Sequence, residues 1–403
     1  MKAESLLKGT ILTNGISFTK AALQLAMFRH AKGQNLCYNL PNTQDALLHP
    51  QELSIKNKDD GYETVVSCVA PHKNQMPVTL DAKDDAFVLC GSELSKITDQ
   101  IEIDTVTEPQ YYSAILSNGA TAKEYVSACG YDELNILPWH GCAISKPCAF
   151  CGVNKVSSLV KDKFKLTAKE ISHSPDLWEK KEANYLALLS EAVLIARQDP
   201  IYSEHLHPIM ISGNLSDELL DYEADIYSRI AKQVFPLLKG YATEGIIAVI
   251  EPPPSDNRLL DMKESGIETV VFNIEVACDP WNKEYCPGKN TLANDYILQR
   301  LLAAIPIFGE KHVWTNFVLG LEPMDTLLKK CATLAEIGIV SSANVFHNDA
   351  GSRLFDFPPP HIEDVVAFFK SLADIYRRYD MKPFYCARAL RTSLSNEAYD
   401  GRL

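Results

Sequence analysis

From about Asn135 onward the sequence alternates between short apolar runs and segments in which apolar residues recur at helical spacing. The apolar runs predict six strands, at residues 134–137, 208–212, 245–250, 269–276, 313–319 and 339–346. Continuous apolar runs are typical of strands that are buried on both faces of a parallel sheet. Because right-handed crossovers place helices outside such a sheet, six strand–helix units predict an α/β fold that closes as an open or partial barrel.

The segments between these strands are predicted to form amphipathic helices. The clearest helical stripe repeats at three- and four-residue intervals, at Tyr185, Leu188, Leu189, Ala192, Val193 and Ala196. Further helices are predicted at residues 219–234, 259–265, 292–305, 325–337 and 362–376. Gly266 and Gly338 follow two of them as C-terminal caps, and Pro306 is predicted to stop a third.

Residues 1–130 do not share this alternation. They contain short β-rich pieces at 64–70, 78–82 and 86–90, separated by polar turn-forming segments. We therefore predict an N-terminal α+β accessory domain at 1–130, the barrel at 131–380, and a C-terminal tail at 381–403 that closes the barrel. Cys37, Cys68 and Cys90 lie far apart without paired ligand spacing, so buried structural thiols are expected there.

Composition excludes several classes of protein. The chain has 403 residues, 46% of them hydrophobic, and a net charge of -13, which repels the phosphates of nucleic acid. No stretch approaches the roughly 20 apolar residues of a membrane span, and the first residues lack the apolar core of a signal peptide. We expect a cytoplasmic protein with no membrane and no nucleic-acid partner. Eleven cysteines, an odd number, then favour thiols and metal ligation over disulfides.

Three cysteines directly after the first strand have metal-ligand spacing. The run His140-Gly-Cys142-Ala-Ile-Ser-Lys-Pro-Cys148-Ala-Phe150-Cys151 has the pattern C-x5-C-x2-C. Thiolates bind zinc, copper(I) or iron–sulfur clusters, and three of them leave one metal position open for chemistry. A Cys3His zinc set that includes His140 is the main alternative, although His140 and Cys142 are closer than usual ligand pairs, and simple buried thiols are a third.

This run resembles the cluster loop of radical S-adenosylmethionine (radical SAM) enzymes. Their loop has the spacing C-x3-C-x2-C with an aromatic residue before the last cysteine, which is Phe150 here. The longer first interval is similar to that of the radical SAM maturase of the iron-guanylylpyridinol cofactor. The resemblance spans residues 133–380 and implies a partial (βα)6 TIM-type barrel with the cysteine loop after its first strand.

Three further segments match the order of the family's S-adenosylmethionine contacts. Ser212-Gly213-Asn214 resembles the Gly-Gly-Glu segment that holds the amino group, with Ser212 in place of a glycine and Asn214 in place of the glutamate. Asn273 and Glu275, placed on one face by strand alternation, are similar to the ribose contacts. Asn316, Val318 and Gly320 match part of the adenine-binding segment. The alternative is that residues 212–214 form only a turn and that Asn316 is a capping residue.

The resemblance implies two cofactors. A [4Fe-4S] cluster on Cys142, Cys148 and Cys151 binds S-adenosylmethionine at its fourth iron. A reducing partner such as flavodoxin or ferredoxin supplies the electron that generates a 5'-deoxyadenosyl radical. That radical abstracts hydrogen from a small-molecule substrate.

Other polar residues are candidates for substrate contact. His347 follows the sixth strand and is predicted to exchange a proton with a radical product. Asn348 is predicted to contact substrate or to act as a cap together with Asp349. Arg388 and Arg391 are predicted to bind a substrate carboxylate, with surface salt bridges as the alternative. Cys278 and Cys286 follow the fourth strand, and a reactive or structural pair is expected there.

The expected reaction is a biosynthetic lyase or carbon-skeleton rearrangement on a small metabolite. A radical SAM methyl- or sulfur-transferring enzyme is one alternative, although sulfur insertion is expected to need a second cluster for which few cysteines remain. A zinc-stabilised α/β binding protein without redox chemistry is the other.

Overall fold

The fold is described here from a computed structural model. It describes residues 1–33, 49–73, 75–91, 94–154, 165–202, 205–242, 244–289, 295–349, 351–383 and 390–403. None of the helices within these ranges has the length and apolar character that crossing a membrane requires. Cys37, Arg388 and residues 292–294 of a predicted helix lie outside the described residues.

The N-terminal part contains two helices and two small sheets. Its elements are α1 Ala3–Asn14, β1 Ile16–Phe18, α2 Lys20–Phe28, β2 Glu52–Asn57, β3 Glu63–Ser67, β4 Val78–Lys83, β5 Ala86–Cys90 and β6 Ile101–Thr105. One sheet has the order β1-β4-β5 and the other the order β3-β2-β6. The predicted β-rich pieces thus overlap β3, β4 and β5. Cys68 is buried as predicted, but the prediction is wrong for Cys90, which is exposed because the last residue of β5 points to solvent.

A third sheet of seven strands follows and is curled into a half-barrel. Its strands are β7 Val126–Cys129, β8 Glu133–Ile136, β9 His207–Ile211, β10 Ile246–Val249, β11 Ile267–Val271, β12 Val313–Leu319 and β13 Val340–Val345. From β8 to β13 each strand pairs in parallel with the next one in the chain. The antiparallel edge strand β7 was not predicted from the sequence.

The fourth predicted strand is five residues too long at its carboxyl end. β11 stops at Val271, and the chain then leaves the ladder. It rejoins only through an isolated bridge between Glu275 and Phe317. Glu275 has a φ of 67°, outside the extended region, so strand alternation does not determine where its side chain points. The alternation argument for Asn273 and Glu275 was therefore wrong.

Helices alternate with the strands of the half-barrel, and most of them pack against the sheet or against each other. They are α3 Ala168–His173, α4 Asp176–Ala196, α5 Leu220–Leu238, α6 Asp256–Glu264, α7 Trp281–Tyr285, α8 Tyr296–Phe308, α9 Met324–Glu336, α10 Ile362–Arg378 and α11 Ser395–Tyr399. Short 3-10 turns occur at Leu94–Gln100, Gln110–Ser113, Ala122–Glu124, Pro200–Tyr202 and Asp217–Leu219. All six residues of the stripe predicted in α4 are buried. The predicted stop at Pro306 was wrong, because the proline lies in the last turn of α8, where the helix continues to Phe308.

The N-terminal part contacts the β7 edge of the seven-stranded sheet directly and the β13 edge through the C-terminal residues Arg391 and Thr392. On the β7 edge, Lys32 Nζ donates to Ala128 O at 3.0 Å, and the Ala128 amide donates to Tyr112 OH at 2.9 Å. On the β13 edge, the Val345 amide donates to Thr392 O at 2.8 Å. The carbonyl oxygen of the preceding residue, Arg391, accepts a hydrogen bond from the Ser67 amide of β3 at 3.0 Å. One hydrophobic core runs through all these parts, so the division into three domains stays a prediction.

Candidate functional site

Backbone amides of the cysteine loop after β8 donate hydrogen bonds to three other segments, which hold the loop in place. The Ala143 amide donates to Asn214 O at 2.8 Å, and the Ala149 amide donates to Tyr285 O at 2.7 Å. The Cys142 amide donates to Asn154 Oδ1 at 2.9 Å. The loop is therefore fixed at both ends before any metal is considered.

Two glycines allow this close approach. A Cβ on Gly213 would lie 2.4 Å from Gly141 O and 2.7 Å from Cys142 Cβ, and one on Gly288 would lie 2.1 Å from Ile144 Cγ2. Real Cβ atoms do not make such contacts, so only glycine fits at these positions without moving the loop. Gly213, predicted to contact a cofactor, is thus also required for packing the loop against the end of β9.

The three loop cysteines line one cavity of about 400 Å³ at the carboxyl ends of β8 to β11. Ligands of barrels and open α/β sheets bind at these ends. The predicted site residues that line this cavity are Cys142, Cys148, Phe150, Cys151, Ser212, Gly213, Asn214, Asn273 and Glu275. Apolar side chains of Leu137, Ile211 and Val249 form part of the wall. Within the described ranges, no three His, Cys, Asp or Glu side chains are grouped to hold a single metal ion.

The loop thiols differ in their electrostatic surroundings. Burial raises the pKa of the Cys142 thiol. A hydrogen bond with Cys286 lowers the pKa of Cys148, against the effect of its burial, and the charge of Lys289 lowers it further. None of the nine cysteines in the described part of the chain forms a disulfide. Cys148 is thus held in surroundings that favour the thiolate, the form that binds metal.

Two charged residues in the cavity were missed by the sequence reasoning. Glu251 follows β10 and is 3% exposed, and Lys289 lies in the loop after α7. Lys289 Nζ lies 3.3 Å from Glu251 Oε2 and 3.4 Å from Glu275 Oε1, and it donates to Asn273 O at 2.9 Å. Burial alone would lower the pKa of Lys289, but the two carboxylates outweigh it and raise that pKa. Lys289 is therefore charged and forms an ion pair with each of the two acids.

One oxygen of Glu251 remains available for a ligand. Its Oε2 accepts a hydrogen bond from Asn214 Nδ2 at 2.7 Å. Its Oε1 is buried and has no hydrogen-bond partner among the described residues. A buried carboxylate oxygen without a partner is costly, so an ammonium group bound in the cavity would satisfy it. The residues present thus fit the amino group of S-adenosylmethionine, through Glu251 together with the predicted Asn214.

A second buried acid, Glu223, lies next to the segment that follows β9. Glu223 in α5 accepts from the Leu215 amide at 2.7 Å through Oε2, while its Oε1 has no partner within the described part of the molecule. Burial raises the pKa of Glu223 to about 8. The carboxyl is therefore protonated at neutral pH and adds no negative charge beside Glu251.

Asn316 and Val318 act on the cavity through Glu275. The Glu275 amide donates to Asn316 O at 2.9 Å, and the Val318 amide donates to Glu275 O at 2.8 Å. The Asn316 side chain donates to Asn273 Oδ1 at 3.1 Å. Neither Asn316 nor Val318 is among the described residues that line the cavity, so the structure places them as supports for Asn273 and Glu275.

The segment after β13 contacts the cysteine loop from the other side. The Gly152 amide donates to Asp349 Oδ2 at 3.2 Å, and Asp349 Oδ1 lies 2.9 Å from His347 Nδ1. Asn348 is buried beside them. Burial lowers the pKa of the neighbouring His72 to about 4, and His347 contributes in the same direction. The predicted His347 and Asn348 thus lie next to the loop, at the contact with the N-terminal part.

Arg391 and Cys278 are placed away from the cavity. The Arg391 guanidinium donates to Glu52, a fully buried carboxylate that also pairs with Lys32 Nζ at 2.6 Å. Cys278 lines a neighbouring space of about 330 Å³, which shares Lys289 with the first cavity. The predicted substrate contact of Arg391 gains no support from this geometry.

No family model matches the chain. In sequence, the chain is 26% identical over 315 residues to bacteriochlorophyllide c C-7(1)-hydroxylase of Chlorobaculum limnaeum. The match covers 76% of this chain and 73% of that relative. In structure it is similar to HydG, a maturase of the [FeFe]-hydrogenase, with a TM-score of 0.40 and 16% identity over 62% of this chain and 51% of that chain. The match thus spans about half of the HydG chain.

Two further solved structures are similar. Methylornithine synthase (PylB) matches with a TM-score of 0.42 and 11% identity over 68% of this chain and 71% of that chain. A radical SAM methyltransferase from Sphaerobacter thermophilus matches with a TM-score of 0.42 and 15% identity over 62% of this chain and 65% of that chain.

Proposed function

We propose that this chain is a radical SAM enzyme that acts on a small-molecule substrate. One observation carries the proposal: three loop thiols and Glu251, whose Oε1 has no hydrogen-bond partner among the described residues, line the same cavity at the carboxyl ends of parallel strands. Thiolates and an acceptor for an ammonium group are what a cluster and S-adenosylmethionine require. The 26% identical relative, which matches most of this chain, supports a shared enzymatic ancestry.

The cavity residues divide into distinct roles under this proposal. Cys142, Cys148 and Cys151 hold the [4Fe-4S] cluster. Glu251 and Asn214 accept hydrogen bonds from the amino group of S-adenosylmethionine. Asn273 and Glu275 accept the ribose hydroxyls, and Lys289 forms an ion pair with both Glu251 and Glu275.

When bound, the cluster and S-adenosylmethionine would supply the radical chemistry that removes a hydrogen atom from carbon. The chain's own work is to orient the reacting groups and to exclude water. The walls formed by Leu137, Ile211 and Val249 are apolar. The N-terminal part contacts the β7 edge of the half-barrel, and the C-terminal Thr392 contacts the β13 edge. We propose that His347 exchanges a proton with the product and that Asn348 contacts substrate, from their place beside the cysteine loop.

The reaction that follows hydrogen removal is a separate part of the proposal. A biosynthetic lyase or carbon-skeleton rearrangement, served in the cytoplasm by flavodoxin or ferredoxin, is the first candidate. Hydroxylation at carbon is the second, favoured by the relative that is named a hydroxylase. Mass analysis of the product separates them, because hydroxylation adds one oxygen whereas rearrangement leaves the composition unchanged and a lyase gives two fragments.

Anaerobic reconstitution with iron and sulfide tests the central proposal. The protein is expected to turn brown, to bind about four irons per chain, and to cleave S-adenosylmethionine to 5'-deoxyadenosine and methionine when dithionite is added. Alanine at Cys142, Cys148 or Cys151 should abolish the cluster, whereas Cys68→Ala should retain it. Stoichiometric zinc without visible absorption would contradict the proposal and favour the zinc-stabilised alternative.

A further inference from the structure

Cys286 is a buried thiol that has no role in the proposed function. It directly follows α7 and is fully buried in a small apolar cluster formed with Ala149, Val276, Tyr285, Leu321 and Phe346. Cys148 and Phe150 of the cysteine loop pack against the same cluster. Cys286 itself is not among the described residues that line the cavity. It therefore touches the cysteine loop from behind, on the side opposite the ligand.

The position of Cys286 is fixed by its own backbone and by its neighbour. Its amide donates to Asn282 O at 2.8 Å, and the preceding residue, Tyr285, accepts from the Ala149 amide at 2.7 Å. Ala149 directly follows Cys148. The backbone bond between Ala149 and Tyr285 thus places Cys148 next to Cys286. The hydrogen bond between the two cysteine side chains therefore joins segments that the backbone already holds together.

We infer that Cys286 is a positioning residue that donates its S–H to Sγ of Cys148 and thereby raises the reduction potential of the cluster. The inference rests on the proposed function, in which Cys148 is an iron ligand. Reduction adds negative charge that is shared by the ligating sulfurs, and a donor to one of them stabilises the reduced form more than the oxidised form. Hydrogen bonds to cluster sulfurs are among the factors that set such potentials.

A redox titration of the full-length reconstituted protein, followed by electron paramagnetic resonance, tests this inference. Cys286→Ala removes the donor, so its cluster should become harder to reduce. The reduction equilibrium constant should fall about tenfold, which is 59 mV for a one-electron couple. Cys286→Ser retains an O–H donor and should stay near the wild-type potential. Cys331→Ala, which removes an equally buried thiol from α9, is the matched control and should not shift the potential.

Each other outcome counts against the inference. An unchanged potential in Cys286→Ala, with full iron content, would show that Cys286 is not a donor that matters. Loss of iron in that variant would make Cys286 a ligand instead. Cys286→Val, which keeps the apolar cluster filled, provides the same comparison if the alanine variant does not fold. A wild-type protein that binds no cluster would overturn the proposed function as well, and is recognised from its lack of visible absorption.

Discussion

Lys289 Nζ lies 3.3 Å from Glu251 Oε2, although the two residues belong to loops that follow different strands. Lys289 also lies 3.4 Å from Glu275 Oε1, so one buried cation holds two carboxylates on the wall of the same cavity. The cation offsets part of the free-energy cost of burying the two acids. The cavity thus presents groups of both signs of charge, which suits the zwitterionic S-adenosylmethionine of the proposed function.

Glu251→Gln is expected to weaken S-adenosylmethionine binding while the cluster is retained. The change removes a charged acceptor for the amino group, worth about 1.5–3 kcal/mol, which is roughly tenfold to hundredfold in the dissociation constant. Calorimetric titration of the anaerobic, reconstituted variant measures the effect, with iron content determined in parallel. Glu264→Gln, at an exposed position in α6, removes the same charge and should leave the affinity unchanged. Equal affinities for the wild type and Glu251→Gln would place the amino group elsewhere.

Gly213→Ala is expected to prevent cluster assembly without unfolding the protein. The added Cβ would lie 2.4 Å from Gly141 O, so the cysteine loop must move away from β9. Displaced thiols no longer meet one cluster, and the iron content after reconstitution should fall severalfold. Ser212→Ala, at the neighbouring position, adds no atoms and should assemble the cluster normally. Full iron content in Gly213→Ala would show that the loop adapts to the added atom.

The stability of the apoprotein is expected to fall between about pH 5 and pH 8 through Glu223. Burial raises its pKa to about 8 in the folded state, above the usual value of a glutamate in the unfolded chain. At a pH between the two pKa values, the folded state therefore holds a proton that the unfolded state has released. The contribution of Glu223 to the free energy of unfolding is full below the unfolded pKa and is lost as pH rises through the folded pKa.

Urea unfolding at several pH values measures this dependence. Glu223→Gln keeps a neutral, hydrogen-bonding side chain and should flatten the profile over that range. Glu218→Gln, at an exposed position near the start of α5, should leave the profile as in the wild type. Parallel profiles for the wild type and Glu223→Gln would mean that Glu223 does not bind the extra proton.

Lys8→Met is expected to destabilise the protein by about 3–5 kcal/mol, because it leaves a buried carboxylate without its cation. Lys8 Nζ lies 2.8 Å from Glu397 Oε1, and both side chains are almost fully buried. The control is Lys311→Met, since Lys311 and Asp380 form a pair at 2.7 Å on the surface, where the loss should stay below about 1 kcal/mol. Adding Glu397→Leu to Lys8→Met should recover part of the loss, and equal losses in the two single variants would contradict the argument.

The strands of the half-barrel were predictable because burial on both faces leaves continuous apolar runs in the sequence. The same apolar pattern did not indicate that β11 ends at Val271. Phe272 and Val276 are buried although the ladder has ended there, and Val276 belongs to the apolar cluster beneath the cysteine loop. An apolar run indicates that residues are buried, but not which strand they pair with. The end of a strand therefore cannot be predicted when the loop that follows it is also buried.

The site was predictable where its residues are close in sequence. The spacing of Cys142, Cys148 and Cys151 is local, whereas the meeting of Glu251 with Lys289 depends on how two loops fold over the sheet. Glu251 had a signal, since it is polar and directly follows an apolar strand. Lys289 had none, because no periodicity marks its loop.

Lys8 and Glu397 are 389 residues apart in the chain. During synthesis at 5–20 residues per second, α1 leaves the ribosome roughly 20–80 s before its partner acid is made. Until then the nascent N-terminal part has a cation that must remain hydrated, so it cannot bury α1 as the finished protein does. Packing of α1 therefore waits until the segment around Glu397 has been made, so a helix that is synthesised early completes its contacts late.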